Sequence, residues 1–207
     1  MAKQDMIVGQ AVLVVIDIQK SAFQNIESGI PHMADYSQRM HKACELIQVA
    51  RDVDLPIVFF QEAHRPDFID FGRELDGSET VHCVEGQLAT EIADETGFSE
   101  KDYFIRKRRY SCFFGTDLEI LLKGLKAKTL ILIGGMTDVC VHYTFADAHQ
   151  HDYYCRVVSD AVGGTSQEAH QASLNAMEYL QTGALRTSAE IVAAIQQRDI
   201  VRDTVAV

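Results

Sequence analysis

The feature that most constrains this chain is a short run, Ala11 to Ile16 (AVLVVI), apolar at every position and closed by Asp17. Such a run has no polar face to offer water, so as a strand it must be covered on both sides. Pro56 to Phe60, Tyr103 to Ile105, Leu130 to Ile133 and Arg156 to Val158 have similar character, and Ala184 to Arg186 supplies a last short strand. Amphipathic stretches lie between them. Ser37 to Val53 places Met40, Cys44, Ile47 and Ala50 three or four residues apart, and Val139 to His149 follows Gly134-Gly135 as a further helix. Thr116, Thr165 and Thr187 each open a Thr-x-x-Glu capping box before a helical pattern. Strand alternating with helix predicts one three-layer α/β/α domain over residues 1–207, an open and mainly parallel sheet with helices on both faces. The segment from Glu62 to Gly86 fits neither period and reads as a long binding loop.

Composition narrows the function classes. In 207 residues with 47% hydrophobic and 24% charged side chains, no apolar run reaches the roughly 20 residues that span a bilayer. Met1 to Gln10 lacks the apolar core of a signal peptide, so the expected location is the cytoplasm, away from membranes. A formal charge of −11 repels phosphate backbones, which argues against a nucleic-acid partner. Five cysteines (Cys44, Cys83, Cys112, Cys140 and Cys155) form no C-x-x-C pair and read as reduced thiols.

In open α/β sheets ligands bind beyond the carboxyl ends of the strands. That rule selects Asp17, Glu62, Arg106 to Arg109 and the segment after Ile133. Asp17 is placed for proton transfer, or alternatively tightens a loop. Cys140 follows Gly134-Gly135 at a helix start, where backbone N–H groups stabilise a thiolate, although simple burial is the ordinary fate of such a cysteine. Lys107 belongs either to a solvated basic surface or to the crevice; spacing alone does not choose among the four basic residues.

Three blocks carry a family likeness. Val14-Val15-Ile16-Asp17-Ile18-Gln19 with Phe23, Lys107 through Tyr110-Ser111 to Leu118, and Gly135-Met136-Thr137-Asp138-Val139-Cys140 with Thr144, Asp147 and Ala148 occur in that order. Together they resemble the isochorismatase-like cysteine hydrolases, which include nicotinamidases and N-carbamoyl amidohydrolases. The resemblance implies a catalytic Asp17–Lys107–Cys140 triad, with Lys107 lowering the thiol pKa. It also implies an oxyanion hole from the backbone N–H groups of Met136 and Cys140, a cis peptide before Met136 and a thioester intermediate. The substrate it implies is a small amide, carbamoyl or ureido compound, and the assembly a homodimer or homotetramer. Phe23, His64, Arg65, Tyr110 and Phe113 are candidate substrate contacts, and Arg65, Arg73 and Arg109 candidate partners for an anionic group. No cofactor is expected. The alternative follows metal-dependent nicotinamidases, in which His82-Cys83-Val84-x-Gly86 would supply a ligand. Glu62 and His64 would complete a Zn²⁺ or Fe²⁺ site, but Glu62 stands where that branch has Asp. A catalytically silent oligomeric module and a Rossmann-like nucleotide binder, the latter opposed by the missing glycine fingerprint and the acidic charge, are the remaining alternatives.

Overall fold

The computed structural model describes residues 5–24 and 26–205, with side chains as far as residue 197. The ends of the expected domain, 1–4 and 206–207, lie outside the described residues. In chain order the elements are β1 (Gln10–Ile16), α1 (Tyr36–Asp52), β2 (Ile57–Glu62), β3 (Tyr103–Lys107), α2 (Leu118–Gly124), β4 (Ala127–Gly135), α3 (His142–Gln150), β5 (Tyr154–Gly163), α4 (Gln167–Leu180), β6 (Leu185–Arg186) and α5 (Ser188–Val205). The strands form one sheet in the order β3-β2-β1-β4-β5-β6, and every pairing is parallel.

The period of two along β1 divides the core. Ala11, Leu13 and Val15 face α1 and α5, packing with Met40, Leu46, Ile47, Ile191 and Ile195. Val12, Val14 and Ile16 face α2, α3 and α4, packing with Leu118, Leu122, Phe145, Leu174 and Met177. All six β1 residues from Ala11 to Ile16 are fully buried. Each aliphatic side chain so buried stabilises the fold by about 1.5–3 kcal/mol, which explains why the run tolerates no polar residue. Among the described residues no helix is long and apolar enough to cross a membrane.

The chain winds outward from β1 to β3, then returns so that β4 pairs with the other edge of β1. This reversal is the topological switch point, and the crevice of such a sheet opens there at the carboxyl ends. Asp17 follows β1 and Cys140 follows β4, so the two flank it.

Local chemistry departs from the expectations in places. The Thr187 box forms as expected: the Thr187 N–H donates to Glu190 Oε2 at 2.8 Å, and the Glu190 N–H returns to Thr187 Oγ1 at 3.3 Å. At Thr165 the cap moves by one residue. Ser166 Oγ accepts the Ala169 N–H, because Thr165 gives both its N–H and its hydroxyl to the Asp138 carboxylate. Thr116 likewise donates its hydroxyl to the Cys112 carbonyl, and Asp117 becomes the N-cap of α2. The helix expected from Val139 starts instead as a π-helical turn, Thr137–Val141, that runs into α3.

Candidate active site

Four strand ends converge. Glu62 is the last residue of β2 and Lys107 the last of β3, and they are register partners in the parallel ladder. Neighbouring side chains at one register point to the same face, which accounts for the 2.6 Å contact from Lys107 Nζ to Glu62 Oε2. Lys107 Nζ also lies 2.8 Å from Asp17 Oδ2 and 3.3 Å from Cys140 Sγ. Asp17 occupies the left-handed region at φ 52°, one that aspartate tolerates better than most residues. Its other carboxylate oxygen accepts the Glu62 N–H at 2.8 Å. The Cys140 thiol donates to Glu62 Oε2 at 3.3 Å.

The turn that carries Cys140 is pinned from outside. Asp138 is held by Thr165, and His170 Nδ1 meets Thr137 Oγ1 at 2.9 Å. The Gly135–Met136 peptide before the turn is cis. The cleft is narrow, about 40 Å³, and Asp17, Glu62, Tyr36, His32, Cys83 and Cys140 are among its lining residues.

Electrostatics assign different characters to the two carboxylates. Burial raises the Asp17 carboxyl above its ordinary value, with Lys107 opposing. Burial also acts to raise Glu62, but Lys107, His64 and His82 overcome it and hold that carboxyl well below the usual range. Burial would lower Lys107, yet Asp17, Cys140 and Glu62 keep it firmly charged. The expected net lowering of the Cys140 thiol is corrected here. Lys107 does pull it down, but burial and the two carboxylates outweigh that pull, so the thiol is raised well above its ordinary value. At rest the Cys140 side chain is therefore a protonated thiol.

A second cluster lies behind Glu62. His64 Nε2 is 3.0 Å from Glu74 Oε2, and His82 Nε2 is 3.2 Å from Glu62 Oε1. One ligand atom from each of Glu62, His64, Glu74 and His82 falls within 4.8 Å of the others. Both ring nitrogens of His64, both carboxylate oxygens of Glu74 and His82 Nε2 are buried without hydrogen-bond partners. Two imidazoles and two carboxylates at this spacing, those of His64 and Glu74 wholly without hydrogen-bond partners, are a donor set that fits a divalent transition metal.

The structure brings Asp17, Lys107, Cys140 and Met136 to one cleft. His64 joins the second cluster, beyond the cleft lining. Phe23 packs edge-on against His41, Phe113 stacks on His151, and Tyr110 stacks on Tyr143 beside a neighbouring groove. Arg65 is exposed and paired with Asp67. Sequence reading missed Glu62 as partner of Lys107 and Cys140, and it missed Glu74, His32 and Tyr36. The one available signal for Glu62 was its place at the end of an apolar run.

The family model described as the isochorismatase domain matches residues 11–190. The chain belongs to the isochorismatase domain family. It is 28% identical over 195 residues to the ureidoacrylate amidohydrolase RutB of Pseudomonas syringae pv. syringae, covering 80% of this chain and 76% of that one. Its fold is similar to N-carbamoylsarcosine amidase from Thermoplasma acidophilum, with a TM-score of 0.72 and 27% identity over 87% of this chain and 97% of that one. It is also similar to a pyrazinamidase of Pyrococcus horikoshii solved in complex with zinc, with a TM-score of 0.72 and 26% identity over 86% and 98% of the two chains. An isochorismatase-type fold is thus common to this chain and the two solved structures.

Proposed function

We propose that this chain is a hydrolase that cleaves the C–N bond of a small amide, carbamoyl or ureido compound, with Cys140 as nucleophile. The observation that carries the reading is the buried ammonium of Lys107, in contact at once with Cys140 Sγ, Asp17 and Glu62. Ionisable groups are not buried together for packing alone, because desolvating them is costly. The amidohydrolase and amidase named among its relatives support the same bond type.

The division of labour follows from the two carboxylates. Asp17, with raised proton affinity, takes the Cys140 thiol proton while sulfur attacks the carbonyl carbon. Glu62 stays charged and holds Lys107. The backbone N–H groups of Met136 and Cys140 receive the developing oxyanion. The C–N bond then breaks, Asp17 passes its proton to the departing nitrogen, and a thioester remains on Cys140. Water, losing a proton to Asp17, hydrolyses the thioester; acid is released and the thiol restored.

Cys140→Ala is expected to reduce ammonia release from a panel of small amides and ureides by at least about 10³-fold with the fold unchanged. Mass spectrometry of quenched wild type should find the acyl adduct on Cys140. Turnover retained by Cys140→Ala would remove the assignment.

The cluster behind Glu62 favours a further element of the same reading. Glu62, His64, Glu74 and His82 would hold a divalent cation, and when bound it would supply a Lewis acid that polarises a substrate atom. Chelator-treated protein titrated with Zn²⁺ is expected to take up one equivalent, with Glu74→Gln weakening uptake by about 10-fold or more. Uptake indifferent to Glu74 would place the metal elsewhere.

A further inference from the structure

We infer that the Cys140 cleft selects uncharged amides over amides bearing a carboxylate, and that His32 is a residue that sets this preference. The inference rests on the amide-hydrolase reading and narrows its substrate class. Among the described residues that line the cleft there is no arginine and no lysine, whereas Asp17 and Glu62 both face it. Lys107 has no exposed side-chain surface and spends its ammonium on those two carboxylates.

The arginines that the sequence offered for an anionic group are engaged elsewhere. Arg65 pairs with Asp67 and Arg73 with Asp76, both at the surface. Arg109 donates to the carbonyls of Asp70 and Arg108. A carboxylate entering this cleft would lose its hydration, meet no arginine or lysine in the lining, and approach the Asp17 and Glu62 carboxylates. Each of these opposes binding. A neutral amide meets no charge repulsion and loses far less hydration energy.

His32 shapes the wall away from the chemistry. Its ring stacks on Tyr36 with centroids 4.1 Å apart and an interplanar angle of 3°. Tyr36 is itself fixed between glycines: a Cβ at Gly135 would lie 2.1 Å from its hydroxyl, and one at Gly163 would lie 2.5 Å from its ring. The stack therefore holds the imidazole in place. Burial lowers the His32 pKa, so the ring adds no positive charge at neutral pH. It is a flat, neutral face where a carboxylate-binding site would need a cation.

The test uses two alkylating probes of nearly the same size, iodoacetamide and iodoacetate, which lose iodide to the same thiolate. Their rates at Cys140 are mapped by peptide mass spectrometry and divided, so that the thiolate population cancels. The same ratio on N-acetylcysteine is the reference. At Cys140 the iodoacetamide-to-iodoacetate ratio is expected to exceed the reference by about tenfold or more. His32→Arg should bring it back toward the reference, while His32→Gln should leave it high. Ser21→Lys, also in the cleft lining, serves if His32→Arg does not fold. A wild-type ratio at or below the reference would overturn the inference while Cys140 remains a reactive nucleophile. A ratio unmoved by His32→Arg would overturn the role of His32. Failure of Cys140 to react with either probe would remove the hydrolase reading, and this inference with it.

Discussion

Lys107→Met is expected to lower stability by about 3–5 kcal/mol, the range found when one partner of a buried ion pair is removed, and to abolish turnover. Methionine fills similar space, so the loss is electrical rather than a matter of packing. The ammonium it replaces has no exposed side-chain surface and lies 2.8 Å from Asp17 and 2.6 Å from Glu62. Without it two buried carboxylates face each other with no cation between them. The double variant Lys107→Met, Glu62→Gln separates this account from simple loss of a contact. Removing one of the two like charges should return part of the stability, so the double variant unfolds at higher urea than Lys107→Met alone. Equal midpoints for the two, or a loss under about 1 kcal/mol in the single variant, would show that the lysine is not neutralising this pair.

The second large effect concerns backbone. Gly134 has φ +109°, and a Cβ there would lie 2.0 Å from the carbonyl oxygen of Ile16. Both neighbours belong to the β1–β4 ladder, where Ile16 and Gly134 are register partners. Neither can retreat without breaking pairing at the centre of the sheet. Gly134→Ala is therefore expected to cost about 4 kcal/mol or more, at the exceptional end for a single substitution. Gly135→Ala makes an instructive comparison, because its Cβ meets a side chain, the Tyr36 hydroxyl at 2.1 Å. Tyr36→Phe removes that oxygen and should restore part of the stability of Gly135→Ala, while doing nothing for Gly134→Ala. Thermal unfolding of the four proteins decides it. A Gly134→Ala midpoint close to wild type would mean that the ladder yields more easily than its geometry requires.

Much of the fold is legible in the sequence because the central strands are apolar on both faces, and β1 could hardly be anything else. β5 is less so. Its run of apolar residues stops at Val158, yet the strand continues to Gly163. Ser159 and Asp160 interrupt the pattern because their side chains serve neighbouring elements. Ser159 donates to the Arg186 carbonyl, and Asp160 accepts the Ser188 N–H at the start of α5. The site divides in the same way. Asp17, Lys107 and Cys140 stand in recognisable blocks. Glu62 gives no such signal, since only the register of β2 against β3 shows that it lies beside Lys107. Glu74 is hidden in a loop without period. Phe23 and Phe113 are near Asp17 and Lys107 in sequence but turn to His41 and His151, a choice made by packing.

The switch point between β1 and β4 also has a consequence for how the chain is made. Residues that leave the ribosome first build β1, β2 and β3, and with them Asp17, Glu62 and Lys107. One edge of β1 stays open throughout, because its partner there is β4, whose Ile131 pairs with Leu13. Until β4 is synthesised the nascent half-sheet carries an unpaired apolar strand at its border, the kind of edge that templates aggregation. Cys140 lies just past the end of β4, so it reaches the sheet together with the strand that closes that edge. The thiol therefore meets Asp17 and Lys107 in the same step that completes the centre of the sheet.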